Sequence, residues 1–252
     1  MSAHLALRSG NPALGSDTFT QVLPIPVSGD EVMTIGGTVN KTALSLVILF
    51  AAAMFVWDRG TQGELPMFWV YGGFIGGFVV ALVTTFKQVW APYTTPLYAA
   101  LEGLALGGIS YMFEQYYPGI VAQAVFLTFG TLGALLFAYR SGLIQATENF
   151  KLGIFAATGG IGLVYLLSFV LGIFGINIPL IHSNGTFGIL FSVFVVVIAA
   201  LNLVLDFDFI EEGAERRVPK YMEWYGAFGL LVTLVWLYLE ILRLLMKLQS
   251  RD

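Results

Sequence analysis

Long apolar runs, separated by short polar stretches, dominate the chain from residue 41 onward. A helix that crosses a bilayer needs about 20 apolar residues, with a range of about 17 to 25. Seven runs meet or approach this length, at about residues 41–57, 66–86, 97–113, 119–139, 152–175, 187–209 and 222–247. Because these runs are continuous rather than alternating, they predict membrane helices and not the strands of a barrel.

The composition strengthens this prediction. Of the 252 residues, 57% are hydrophobic and 11% are charged, whereas a soluble domain carries about 25% charged residues. So little polar chain cannot cover so much apolar surface in water. We therefore expect an all-α integral membrane protein, a bundle of seven transmembrane helices over residues 41–248.

The first 40 residues contain Ser, Gly, Pro and Asp and no apolar core of a signal peptide. We expect a disordered tail here. With seven spans, the side of the tail carries eight Lys and Arg residues and the opposite side carries four. The positive-inside rule then predicts that the N-terminus is cytoplasmic.

Glycines recur at a spacing of four residues in two of the runs. The second run contains two overlapping pairs, Gly72 with Gly76 and Gly73 with Gly77, and the third run contains Gly103 and Gly107. Small residues at this spacing let helix backbones approach closely in lipid. We expect packing between helices of the same chain, with an oligomer interface as the alternative.

Residue content excludes several kinds of chemistry. The chain has no Cys, and its two histidines are His4 and His182. Disulfides, thiolate metal sites and cysteine nucleophiles are therefore absent, and no resident cofactor or histidine-rich metal site is expected. The net charge of −4 and the lack of a basic patch give no indication of a nucleic-acid partner.

A few charged residues lie inside the apolar runs: Glu102, Asp206, Asp208, Glu240 and Arg243. A charge at the bilayer centre costs roughly 2.5–3.5 kcal/mol on insertion scales, so such residues are candidates for function. Two carboxylates held close together in a low dielectric share a proton, which makes a pH sensor. Fully deprotonated, the same pair offers hard oxygen ligands to Ca²⁺.

The spacing of these charges allows two interpretations. Asp206 and Asp208 are two residues apart, about 200° around a helix, so at most one of them points into the bundle. Asp206 is the deeper of the two. Glu240 either meets a carboxylate of another helix or is neutralised by Arg243, three residues further on the same helix face. The residues alone leave this choice open.

Five stretches resemble the Bax inhibitor-1 family, also called the transmembrane Bax inhibitor motif family, and in particular its YccA-like bacterial branch. They are residues 33–42 (MTIGGTVNKT), 91–103 (APYTTPLYAALEG), 205–215 (LDFDFIEEGAE), 219–230 (PKYMEWYGAFGL) and 237–240 (LYLE). The resemblance implies a compact helical fold in which a central last helix is wrapped by the other six. It also implies a bacterial inner-membrane location.

The resemblance further implies a pH-sensitive calcium leak channel that is gated by a carboxylate pair on helices six and seven. By motif position the pair is Asp206 and Glu240, which would also contact Ca²⁺ transiently, with Asp208 as the ambiguous neighbour. The family commonly has Asp at the position of Glu240, so the side chain here is one methylene longer. Lys87 is the basic residue nearest to the family's basic latch on helix two, and Glu102 and Arg243 are accessory candidates.

Other functions compete with this one. Relatives in the YccA-like branch are associated with modulating a membrane-bound AAA protease, and the N-terminal tail would serve as the handle. Two membrane carboxylates could also activate water for intramembrane proteolysis. No Gly-x-Gly-Asp motif accompanies either acid, so we expect that the protein is not an enzyme.

Overall fold

The computed structural model describes residues 32–64, 67–175 and 185–250. Within these ranges the chain forms seven α-helices, one for each apolar run. They are α1 (Ile35–Thr61), α2 (Met67–Phe86), α3 (Ala91–Tyr116), α4 (Ile120–Arg140), α5 (Glu148–Ile173), α6 (Thr186–Glu215) and α7 (Met222–Gln249). The prediction of an all-α fold is confirmed. Most of the predicted tail, residues 1–31, lies outside the described residues.

Six of the helices are long and apolar enough to cross a membrane, namely α1, α2, α4, α5, α6 and α7. The remaining helix, α3, has 26 residues, and it packs against both α1 and α2. The most apolar window of α7 is 67% buried, against 11–17% for α1, α2, α4 and α5. The last helix is therefore the most buried of these six.

Several predicted boundaries differ from the structure, by six residues at most. Helix α1 begins at Ile35 rather than Lys41, because the Thr34 side chain accepts a hydrogen bond from the backbone N–H of Gly37 at 3.0 Å and caps the helix. Helix α3 begins at Ala91 rather than at residue 97. Pro92 lies in the first helical turn, where its missing N–H leaves no hydrogen bond unmade.

The chain divides into two compact units, and both include parts of α6 and α7. Within the described residues, unit 1 comprises residues 119–207 and 233–250, with α4 and α5. Its core lies between α5, α6 and α7. The core contains Ile154, Ile161, Val195, Ile198 and Leu205, with Trp236 packed against it.

Unit 2 comprises the described residues up to 118 together with residues 208–232, and thus contains α1, α2 and α3. Glycines bring these three helices together. A Cβ at Gly73 would lie 2.4 Å from the Leu101 carbonyl oxygen of α3, and one at Gly103 would lie 2.3 Å from the Leu49 carbonyl oxygen of α1. The predicted packing within the chain is confirmed at these positions. Gly72 faces open space.

The end of α6 is joined to the residues that precede α1. The Val218 N–H binds the Gly213 carbonyl and the Arg217 N–H binds the Ala214 carbonyl, the pattern of a Schellman motif. Arg217 takes the left-handed conformation, with φ of 52°. The chain then turns so that the Val218 carbonyl accepts a hydrogen bond from the Met33 N–H at 2.7 Å.

Candidate functional site

Asp206 and Asp208 occupy different environments on α6. Asp206 is fully buried, with 0% of its surface exposed, whereas Asp208 is half-buried. The rotation of about 200° between them produces this difference, because only one of two such positions can face the interior. Asp206 is therefore the α6 carboxylate that lies inside the protein, as the sequence predicts.

Glu240 lies in a cluster of three polar side chains in unit 1. Its side chain is 3% exposed. Arg243 Nη1 donates to the two carboxylate oxygens of Glu240 at 2.8 and 2.9 Å. The Tyr165 hydroxyl of α5 lies 3.0 and 3.1 Å from the same oxygens and donates to them. Arg243 Nη1 also donates to the Tyr165 oxygen at 2.8 Å, which closes a triangle.

Aromatic contacts fix the position of this cluster. The Tyr165 ring packs edge-on against Phe191 of α6, with ring centroids 6.2 Å apart. The Arg243 guanidinium carbon lies 5.3 Å from the centroid of the Tyr165 ring, within the range of a cation–π contact. Tyr165 thus orients both charged groups. The Arg243 side chain remains 41% exposed.

Lys247, one helical turn after Arg243, is a buried cation that the sequence analysis did not single out. Its side chain is 3% exposed, and Nζ donates to the Gly188 carbonyl at 3.1 Å and to the Ser192 hydroxyl at 2.9 Å. Long basic side chains near helix ends usually extend toward water. The burial of Lys247 depends on oxygen acceptors near the start of α6, which no local pattern reveals.

The Glu240 cluster matches the second of the two interpretations of its charge. Among the described residues, the hydrogen bonds of the Glu240 carboxylate come from Arg243 and Tyr165. Asp206 and Glu240 both belong to unit 1. Their pairing as a dyad stays a prediction.

The other two candidates lie in unit 2. Glu102 projects from α3 toward Gly77 of α2, where an added Cβ would lie 2.6 Å from its Oε2. Lys87 follows α2 and is exposed to the surroundings. The role of Lys87 as the basic latch of helix two stays a prediction.

A further buried carboxylate, Glu223 in the first turn of α7, was missed by the sequence analysis. It is 1% exposed and forms an ion pair with Lys41 of α1. The Thr34 N–H and hydroxyl both donate to its Oε1, at 3.0 and 2.8 Å. We call these three residues the Glu223 cluster. The position of Glu223 beside the basic residues of the preceding loop resembles a solvated helix end, which concealed its burial.

Metal binding finds limited support in the part of the chain that the structure describes. No group of three or more His, Cys, Asp or Glu side chains is placed to hold a metal ion there. Ca²⁺ normally takes six to eight oxygen ligands. A cation would therefore have to be held with backbone oxygens or water in addition to the carboxylates.

The fold and these buried charges define a multi-pass helical membrane protein with ionisable groups inside its helices. The model of the family described as Bax inhibitor 1 like matches residues 6–250. The chain therefore belongs to the Bax inhibitor 1 like family, as its sequence resemblance predicted. No curated protein and no solved structure matches the chain.

Proposed function

We propose that the protein is a pH-sensitive cation leak pathway, with Ca²⁺ as the cation, gated by Asp206 and Glu240. The observation that carries this proposal is the burial of both acids, at 0% and 2% exposure, in two helices that are long and apolar enough to cross a membrane. Carboxylates at membrane depth mark ion pathways and proton relays by default. Membership of the Bax inhibitor 1 like family supports the same function.

The proposed gate follows from the charges of the two acids. With one shared proton, the two carboxylates hold their helices together through a charge-assisted hydrogen bond. Loss of that proton leaves two like charges, which separate and admit a cation. Strong acid neutralises both groups and removes the affinity for the cation. Flux therefore depends on pH with two coupled apparent titrations.

Arg243 and Tyr165 also take part in the proposed gate, because both bind Glu240. In the closed state they hold the Glu240 carboxylate through the contacts of the cluster described above. Because Arg243 is 41% exposed, its guanidinium group can leave Glu240 and bind water instead, without movement of another helix. Glu240 is then available to Asp206 or to the cation.

The test is Ca²⁺ flux into liposomes that contain the purified protein and a trapped calcium dye, measured from acidic to neutral pH. Asp206→Asn and Glu240→Gln should each flatten the pH dependence, and the double variant should resemble the single ones, because the two acids act as a unit. Asp208→Asn is the matched control. Its half-buried acid lies on another face of α6, so its profile should stay close to wild type.

Two results would contradict the gate. If both single variants keep the wild-type pH profile, the pair is not the sensor and the Glu240–Arg243 ion pair is structural. If the wild-type protein conducts no cation at any pH, the leak pathway is wrong. The alternative would then be a non-transporting modulator of a membrane-bound AAA protease, a role that deletion of residues 1–31 should abolish.

We also propose a bacterial inner-membrane location with the N-terminus in the cytoplasm, based on the distribution of Lys and Arg. The loop after α6 carries Arg216, Arg217 and Lys220 and should then be cytoplasmic. The chain has no Cys, so Arg217→Cys introduces a single thiol at an exposed position. An impermeant thiol reagent should label it in inverted vesicles only. Labelling in intact cells would reverse the orientation.

A further inference from the structure

Glu102 lies near the middle of α3 and faces α2. The nearest point on α2 is Gly77, where a Cβ would lie 2.6 Å from Glu102 Oε2. Gly77 is itself near the middle of α2, which is long and apolar enough to span a membrane. The Glu102 carboxyl group is therefore held at the depth of the bilayer centre. A side chain at position 77 would displace the carboxyl group from this place.

The helices on either side of α3 supply no counter-charge. On α1, the charged residues are Lys41, Asp58 and Arg59. Their side chains bind Glu223, Gln62 and Glu64 respectively. On α2, the sequence Met67–Phe86 contains no Asp, Glu, Lys or Arg, and its one tyrosine, Tyr71, is exposed. Neither helix offers a free cation.

The other basic residues described in unit 2 are Lys87, Arg216, Arg217 and Lys220, which lie outside the helices and are exposed. Tyr98, one turn before Glu102 on α3, interacts with it electrostatically and packs edge-on against Phe228 of α7. The part of α7 in this unit also brings Glu223 and Tyr225. Glu223 is bound by Lys41. Among the described residues, then, no hydrogen bond or ion pair neutralises Glu102.

A carboxylate at this depth without a cation is unfavourable by roughly 2.5–3.5 kcal/mol on insertion scales. Attachment of a proton removes the charge and with it this free-energy cost. We propose that Glu102 is a proton-binding site, housed within unit 2 and separate from Asp206 and Glu240. It carries its proton at neutral pH, with Gly77 providing the space for the carboxyl group. This site does not depend on the proposed leak function.

The test is labelling of the purified protein in nanodiscs with dicyclohexylcarbodiimide, an apolar reagent that attacks protonated carboxyl groups. The carboxyl oxygen bonds to the carbodiimide carbon, and the proton moves to a nitrogen. Migration of the acyl group from oxygen to the other, unprotonated nitrogen gives a stable N-acylurea without any leaving group. Peptide mass spectrometry should find this adduct on Glu102 at neutral pH and should find it lost as the pH is raised.

Two control residues define the specificity. Glu102→Gln should lose the adduct from its peptide and keep any adduct on Asp206 or Glu240. Glu148, exposed at the start of α5, should react with a water-soluble carbodiimide and an added amine but not with the apolar reagent. If Glu102 behaves as Glu148 does, or shows no adduct at any pH, the proposal is overturned.

A pair of glycine variants tests the geometry. Gly77→Ala places a methyl group against the Glu102 carboxyl and should slow formation of the adduct. Gly72→Ala, on the same helix but facing open space, should leave the rate unchanged. Equal rates in the two variants would place the carboxyl group away from Gly77 and overturn the site. None of these measurements requires flux, so they stand or fall independently of the leak pathway.

Discussion

The two buried glutamates of α7 are held in different ways. In unit 2, Glu223 is bound by Lys41, which is 182 residues away in the chain, and by both donors of Thr34. In unit 1, Glu240 is bound by Arg243, three residues further on the same helix, and by Tyr165 of α5. The first charge is neutralised by another helix and the second by its own.

This difference distinguishes an ion pair that joins two helices, Glu223–Lys41, from one within a single helix, Glu240–Arg243. Lys41 and Glu223 belong to different helices, and the Lys41 side chain is only 20% exposed, which leaves it little water to bind instead. Arg243 moves with Glu240 and is 41% exposed, so the ion pair can open by a change of side-chain rotamer. We infer that the Glu223 cluster holds unit 2 together, whereas the Glu240 cluster is suited to a gate.

The largest expected effect is on stability, from Lys41→Met. The variant leaves the Glu223 carboxylate buried without its cation, and removal of one partner of a buried pair is destabilising by about 3 kcal/mol or more. The thermal denaturation midpoint in detergent should fall clearly. Lys87→Met is the matched control, because Lys87 is exposed, and it should change the midpoint little.

The double variant Lys41→Met with Glu223→Gln sharpens this test. It removes the uncompensated charge of Glu223. The glutamine side chain still offers an amide oxygen that can accept hydrogen bonds from Thr34. Its midpoint should lie above that of Lys41→Met, because the two residues interact directly and their effects are not additive. A double variant less stable than Lys41→Met would show that Glu223 does not depend on Lys41.

Much of the fold was predictable from the sequence, since lipid imposes a strong constraint on each segment. A bilayer demands about 20 apolar residues for each span, and every predicted run became a helix. The glycine spacing also predicted the contacts at Gly73 and Gly103. The predicted start of the third helix at residue 97 was wrong, because local rules alone treat the prolines in the first turns of α3 as helix breakers.

The sites were predictable only where a signal is local. The spacing of Glu240 and Arg243 indicated an ion pair, and the two-residue spacing of Asp206 and Asp208 indicated that one is buried. The role of Tyr165 depends on a contact across 75 residues. That of Lys41 depends on one across 182. Nothing in a single sequence ties such residues together.

A smaller effect, on the pH profile of flux, is expected from Arg243→Leu. Arg243 holds the Glu240 carboxylate in the closed state, so its removal should free Glu240 for the gate and change that profile. Because Arg243 is 41% exposed, its ion pair with Glu240 is worth about 1 kcal/mol or less, and one pH unit corresponds to about 1.4 kcal/mol. The shift should therefore be below about one pH unit in the liposome assay. An unchanged profile would exclude Arg243 from the gate.

The smallest effect is expected from Tyr165→Phe, which removes one hydroxyl and keeps the ring. The packing on Phe191 and the cation–π contact with Arg243 should persist, so the thermal midpoint should change little. The lost hydrogen bond to Glu240 is worth about 1 kcal/mol in net terms, and Arg243 still compensates the carboxylate. The profile should move in the same direction as for Arg243→Leu, but by less. A larger shift than that of Arg243→Leu would make the tyrosine, rather than the arginine, the group that controls Glu240.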